Sequence, residues 1–182
     1  MTAPIVGIAG GGIAGLAAAA ALTRAGVAVR VYEQARAIGE VGAGVSLTRN
    51  SLRVIEQLGL LPALDQHAVN LANGMVLYRS DGERIGGGGG EGDGRNVHRA
   101  DLVETLRADL DESDVRLAAR VRGVEELGRR VRVLFEDGTH EEVDALLGAD
   151  GIHSVVRSHV TEPRAPVFSG MVAYRGLVPA ER

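Results

Sequence analysis

The stretch from Ile5 to Glu33, IVGIAGGGIAGLAAAAALTRAGVAVRVYE, constrains the fold of this chain more than any other. Ile5 to Ala9 is an apolar run of strand length, the pattern of a strand buried on both faces of a parallel sheet. Gly10, Gly12 and Gly15 follow in the spacing G-x-G-x-x-G. The first glycine permits a tight turn out of the strand, the second lets backbone approach a pyrophosphate, and the third lets the next helix pack closely on the sheet. Ile13 to Arg24 is nearly all Ala and Leu, strong helix formers, and Gly26 is placed to stop the helix. A second strand, Val27 to Tyr32, then delivers Glu33, 18 residues after Gly15. An acidic side chain at about this distance meets the ribose hydroxyls of a dinucleotide, and an acid there favours FAD or NAD over a 2′-phosphorylated nucleotide.

Composition narrows the function classes. The 182 residues suffice for one good core and the beginning of a second lobe. With 20 basic against 24 acidic residues there is no cationic excess to neutralise phosphates, which argues against nucleic acid as a partner. Absence of cysteine excludes disulfides, thiolate catalysis and cysteine-ligated metals. His98, His140, His153 and His159 are scattered without ligand spacing, so no metal site is expected. No stretch reads as a signal peptide or a bilayer span, and the expectation is a soluble cytoplasmic protein without membrane association. Two Phe and three Tyr are too few to wall a pocket for a ring substrate, which suggests that part of such a pocket lies elsewhere.

Beyond Glu33, Gln34 to Val45 reads as a loop punctuated by Gly39, Gly42 and Gly44. Asn50 or Ser51 is a fair N-cap for a helix through Leu58, with Leu52, Ile55 and Leu58 on one face and Gly59 at its end. Gly74 to Arg79, the turn Ser80-Asp81-Gly82 and Glu83 to Ile85 read as a hairpin, and Gly86 to Gly94 as a low-complexity linker. Asn96 to Leu110 has Leu102, Val103, Leu106 and Leu110 at helical spacing. Val115–Leu117, Gly123–Leu127, Val131–Phe135 and Thr139–Val143 form an expected antiparallel meander. Ala145 to Leu147 is again a strand, ending in Gly148-Ala149-Asp150-Gly151, with a helix over Ser154 to Val160 and a last strand, Met171 to Val178, that is an unpaired edge.

Four motifs in this order resemble one family, the single-component FAD-dependent aromatic hydroxylases of the salicylate and hydroxybenzoate hydroxylase type. They are the glycine fingerprint with Glu33, the loop GEVGAGVSLTRN from Gly39 to Asn50, the His98-Arg99-x-x-Leu102 helix start, and Gly148-Ala149-Asp150-Gly151 followed by Ser154 and Arg157. The resemblance implies an α/β fold: a Rossmann-like FAD-binding domain with a parallel sheet, an antiparallel β-meander and the start of a substrate domain. It divides the chain into a βαβ part over 1–72, a substrate-domain-like hairpin and loop over 73–97, the rest of the FAD-binding domain over 98–165 and a first substrate-domain strand over 166–182.

The same resemblance implies the site. Gly10, Gly12, Ala14, Gly15, Glu33 and Gln34 would contact FAD, Arg36 and Arg157 would support the cofactor or the nicotinamide phosphate or else be solvated surface arginines, Arg99 would reach the phosphate and ribityl region of FAD, and Gly44 and Val45 would lie along the isoalloxazine. Val121 would meet the adenine through its backbone, and Asp150 would serve both the flavin and the nicotinamide substrate, NADH or NADPH. Taken alone, an aspartate at position 150 is an N-cap or turn residue and Val121 a buried strand valine. Some relatives carry a catalytic histidine where this chain has Ser46, so no acid or base is carried over. The implied chemistry is flavin reduction by NAD(P)H, reaction with oxygen to a flavin hydroperoxide, and oxygen transfer to a small aromatic substrate. A complementing C-terminal segment or a homo-oligomer would complete the pocket. A related FAD-dependent halogenase or reductase, and a non-catalytic dinucleotide-binding module that pairs with a second chain, are the alternatives.

Overall fold

The computed structural model describes residues 3–38, 43–70, 75–88 and 94–174. In chain order, β1 (Ile5–Ala9), α1 (Ile13–Arg24) and β2 (Ala28–Tyr32) lead to β3 (Gly44–Leu47), α2 (Arg49–Gln57), α3 (Leu61–Leu64) and β4 (Val69–Asn70). The strands β5 (Met75–Tyr78), β6 (Arg84–Gly88) and β7 (Arg95–His98) precede α4 (Arg99–Arg107). After a 3-10 turn at Glu112–Asp114 come β8 (Val115–Arg116), β9 (Val121–Glu126), β10 (Val131–Phe135), β11 (His140–Val143), β12 (Ala145–Gly148) and α5 (Val155–Val160). Two compact units result, Met1–Glu40 with Leu106–Arg182, and Val41–Thr105. Among the described residues no helix is long and apolar enough to cross a membrane.

In the first unit four parallel strands run in the order β12-β1-β2-β8. Strand alternation gives β2 two different faces. Val29 and Val31 turn to one face and pack with Ile8 and the α1 residue Ala19, while Tyr32 turns to the other. There it meets Phe135, Val133 and Val143 of the antiparallel sheet β11-β10-β9. The Tyr32 and Phe135 rings meet edge-on with centroids 5.0 Å apart, a favourable aromatic geometry. Ala19 and Ala20 are fully buried in α1, so small side chains let this helix approach the sheet closely.

In the second unit β3, β7 and β4 form an antiparallel sheet in the order β3-β7-β4, and β5 pairs with β6. Leu47, Ile55, Leu58, Leu60, Leu64, Val97, Leu102 and Val103 are buried apolar residues of this unit. Gly59 takes the left-handed conformation (φ 64°) that ends α2.

Several local expectations are corrected. Asn96 to His98 belong to a strand, not to the start of a helix, because Val97 pairs with Val45 and the helical apolar spacing begins only at Leu102. For the same reason Gly44 to Leu47 is a strand rather than loop. α2 starts at Arg49 with Thr48 in the cap position and no side-chain cap bond, so neither Asn50 nor Ser51 caps it. Gly86 to Gly88 lie in β6, paired with Met75 to Leu77, whereas 89–93 lie outside the described residues. Met171 to Tyr174 are not in a strand, and 175–178 lie outside the described residues, as do Gly39 and Gly42. Val115–Arg116, expected as the first strand of the antiparallel meander, instead pairs parallel with β2, and the short α3 and β4 carry no sequence expectation.

Candidate cofactor site

The three fingerprint glycines do three different things. Gly10 leaves β1 with φ 104°, a left-handed conformation, and its N–H donates to the Tyr32 carbonyl at 2.8 Å. A β-carbon there would lie 2.3 Å from the Ala149 carbonyl oxygen, so Gly10 is also where β1 and the end of β12 touch. On Gly15 a β-carbon would lie 1.9 Å from the Gly10 carbonyl oxygen, which makes glycine the condition for α1 to sit on the turn. Gly12, by contrast, faces open space: nothing lies within 4 Å of where its β-carbon would be. It is the N-cap of α1, with extended backbone, no side-chain cap bond and no acidic residue in the first turn. The opening N–H groups of α1, including those of exposed Ala14 and of Gly15, therefore present uncapped donors and the positive end of a helix dipole. That combination suits a diphosphate.

Glu33 stands immediately after β2. Its main chain is pinned on both sides, the N–H donating to the Arg116 carbonyl and the carbonyl accepting from Ala119 N–H, each at 2.9 Å. One carboxylate oxygen accepts from the Gly11 N–H at 2.7 Å and the other from the Ala35 N–H at 2.8 Å. An ionised carboxylate offers about four lone-pair positions, so two remain for hydroxyl donors. Next to Glu33 the surface sinks into an open depression lined by Gln34, Ala35, Arg36, Ala118, Arg120, Glu136 and Asp137. Ala118 holds φ 51°, the only left-handed non-glycine among the described residues, and its N–H donates to the Ala35 carbonyl at 2.9 Å. Val121 opens β9 opposite Phe135, three residues past Ala118.

A partly exposed polar cluster supports this edge. Arg116 bonds Glu141 at 2.9 Å, Asp137 at 3.1 Å and the Thr139 hydroxyl at 2.7 Å, with its guanidinium 4.3 Å from the centre of the Phe135 ring. The Tyr32 hydroxyl donates to Glu141 at 3.0 Å. Burial, and next the Glu141 charge, push the Tyr32 phenol well above the usual tyrosine range. Thr139, through its hydroxyl and its amide, holds the Asp137 carboxyl below the usual carboxylate range.

Asp150 uses both carboxylate oxygens on α5. One accepts from the Ser154 hydroxyl, and the other from the N–H groups of Val155 at 2.7 Å and Val156 at 3.2 Å. The side chain is thus a helix cap, and what the Gly148–Gly151 turn offers a ligand is backbone lying against Gly10. Arg157 folds back on the same turn, donating to the Ile152 carbonyl at 2.8 Å. In the second unit Gly44 pairs with His98 and Val45 with Val97, which sets the start of β3 beside Arg99, the first residue of α4. The Arg99 N–H donates to the Ala43 carbonyl at 3.2 Å. Ser46 Oγ donates to Asn96 at 2.6 Å.

The expected residues therefore fall into two groups. Gly10, Gly12, Ala14, Gly15, Glu33, Gln34, Arg36, Val121 and Asp150 belong to the first unit, and Gly44, Val45 and Arg99 to the second. Two residues escaped the sequence reading. Gly11 was legible as the middle of three consecutive glycines, but Ala118 has no local signal, since its backbone is dictated by bonds to the segment after Glu33.

Residues 3–175 match the family model described as the FAD binding domain. The chain belongs to this family. Among its relatives, salicylate hydroxylase of Pseudomonas putida is 42% identical over 186 residues, covering 95% of this chain and 43% of the relative. The 3-amino-4-hydroxybenzoate 2-monooxygenase PtmB3 of Streptomyces platensis is 40% identical over 192 residues, covering 98% of this chain and 47% of the relative. Among solved structures, 2,6-dihydroxypyridine-3-hydroxylase from Arthrobacter nicotinovorans superposes with a TM-score of 0.77 at 27% identity, covering 93% of this chain and 42% of that one. This FAD-binding domain thus spans less than half the length of the curated relatives it matches. The mixed fold, a parallel sheet beside antiparallel ones, agrees with the expectation.

Proposed function

We propose that the chain supplies the FAD-binding part of an NADH- or NADPH-dependent monooxygenase that hydroxylates a small aromatic molecule. The observation that carries the FAD reading is Glu33, held at the end of β2 beside an uncapped helix start with the open position Gly12 between them. These residues fit a dinucleotide: Glu33 retains lone pairs for two ribose hydroxyls, and Gly12, Ala14 and Gly15 bring main-chain donors to the diphosphate. Gly10 keeps the turn tight enough for both. Gln34, Arg36 and the backbone at Val121 flank the adenosine end, and the Asp150 turn contributes main chain beside Gly10. Arg99 would serve the phosphate and ribityl region as a fork of fixed donors, and Gly44 and Val45 would line the flavin ring through backbone.

When bound, the flavin supplies the redox chemistry, taking a hydride from reduced nicotinamide and activating oxygen for an electron-rich ring. The protein binds, orients and excludes water, and no side chain here is assigned a proton-transfer role. In the same reading residues 73–97 and 166–182 belong to a substrate domain and 1–72 with 98–165 to the FAD-binding part. A complementing C-terminal segment or a second copy would complete the aromatic pocket, and the cytoplasm, where reduced nicotinamide is at hand, is the compartment.

The test is FAD retention by the chain after removal of free cofactor, read from the flavin absorbance, with Gly12→Val as the control. The valine β-carbon would stand in open space in front of α1, so the substitution should abolish retention while the fold survives. NADH and NADPH are then compared as reductants of the bound flavin, and hydroxybenzoates as substrates. A wild-type protein that stays colourless at saturating FAD defeats the reading for this chain.

A further inference from the structure

We infer that Glu33 is also the positioning residue of the glycine loop: its carboxylate holds the buried Gly11 amide and so presets the loop for a diphosphate before any ribose is bound. This rests on the FAD reading for its purpose, but on the observed Gly11–Glu33 geometry for its substance. Gly10-Gly11-Gly12 has no side chain with which to pin itself, and three successive glycines carry more backbone freedom than any other tripeptide. Gly11 is nonetheless buried, and its N–H donates to Glu33, 22 residues away in sequence, at 2.7 Å. A buried amide cannot be left without an acceptor at little cost, and a charged acceptor makes the stronger bond.

The acceptor is itself rigid. The second carboxylate oxygen is engaged by Ala35 N–H, and the Glu33 main chain is fixed to Arg116 and Ala119. The fit at Gly11 is also close, since a β-carbon there would come 3.0 Å from Glu33 Cβ. A loop ordered in advance spares the ligand the entropy of ordering it. The arrangement also says which substitutions fail. Aspartate is too short to keep both bonds. Glutamine must point its amide N–H₂ at either Gly11 N–H or Ala35 N–H, setting donor against donor.

Two measurements on the full chain test this. In the ligand-free protein, amide exchange followed by ¹⁵N NMR should show Gly11 accelerated at least about tenfold in Glu33→Gln, as expected for losing one charge-assisted bond. The amides of fully buried Ile8 and Val31 should be unchanged, which separates a local effect from general loosening. Affinities for ADP and 2′,3′-dideoxy-ADP then form a cycle with Glu33→Ala and Glu33→Gln. A pure ribose acceptor predicts that neither substitution weakens the dideoxy nucleotide. The positioning role predicts that both weaken it about tenfold or more, glutamine no less than alanine. Unchanged Gly11 exchange, or a dideoxy affinity indifferent to residue 33, overturns the inference. If the wild-type chain binds neither nucleotide, FAD retention still decides the cofactor reading and the exchange experiment alone decides the positioning role.

Discussion

Replacing Gly15 by alanine sets two effects of opposite sign against each other. Alanine in a helix is favoured over glycine by about 1 kcal/mol, so a purely local view expects stabilisation. The added β-carbon, however, would sit 1.9 Å from the Gly10 carbonyl oxygen, where ordinary contact needs roughly 3.5 Å. Relief requires α1 to move from the turn by about 1.5 Å, loosening Leu16, Ala19 and Ala20, all fully buried. Overpacking of this kind costs about 1–3 kcal/mol, and a backbone oxygen, which has no rotamer to yield, belongs at the upper end. After subtracting the propensity gain, the net loss is about 2 kcal/mol, or about 4–8 °C in melting temperature for a chain of this size. Circular dichroism melts of Gly15→Ala beside Gly12→Ala check it. The Gly12 variant, whose β-carbon meets nothing within 4 Å, should lose less than about 1 kcal/mol. A Gly15→Ala protein as stable as wild type or more so would refute the close-packing argument.

Asp150→Ala removes the acceptor for Val155 and Val156, and a loss of about 1 kcal/mol with faster exchange at those two amides is expected in chemical denaturation and NMR. The raised Tyr32 phenol gives a pH dependence with a definite sign. Its contribution to stability is intact below about pH 10, where unfolded tyrosine begins to ionise, and declines as pH rises further, so urea titrations from pH 9 to 11 should fall more steeply in wild type than in Tyr32→Phe. Thr139→Val should raise the Asp137 carboxyl toward ordinary values, read by carboxyl ¹³C titration. The depressed group contributes stability above about pH 4 and loses it as pH falls through its folded value, and the variant, which keeps the residue 139 amide and Arg116, should lose part of that acid sensitivity.

The β1-α1-β2 unit was determined by sequence alone: β1 and α1 lie where the apolar run and the Ala-rich segment place them, and β2 begins one residue later than expected. Each signal there is local, and glycine spacing, helix propensity and an apolar strand agree with one another. Three strands of the meander were legible from their turns, Gly128 and Gly138 both taking left-handed backbone, but Val115–Arg116, expected as its first strand, joins the parallel sheet beside β2. Tertiary structure decided the remainder, because the deciding partner lies far along the chain. β3 and β7 become strands only by pairing with each other across some 50 residues, and Gly86 to Gly88, which carry no pattern of their own, follow β5. The acid at position 33 could be read from its spacing, but not that its carboxylate is already bonded to Gly11 and Ala35. Asp150 reads both as part of a motif and, taken alone, as a cap or turn residue, and the tertiary structure spends its lone pairs on α5. Spacing along a chain says which groups can meet; which lone pair is spent on which donor depends on where folded backbone leaves a buried N–H in need of one.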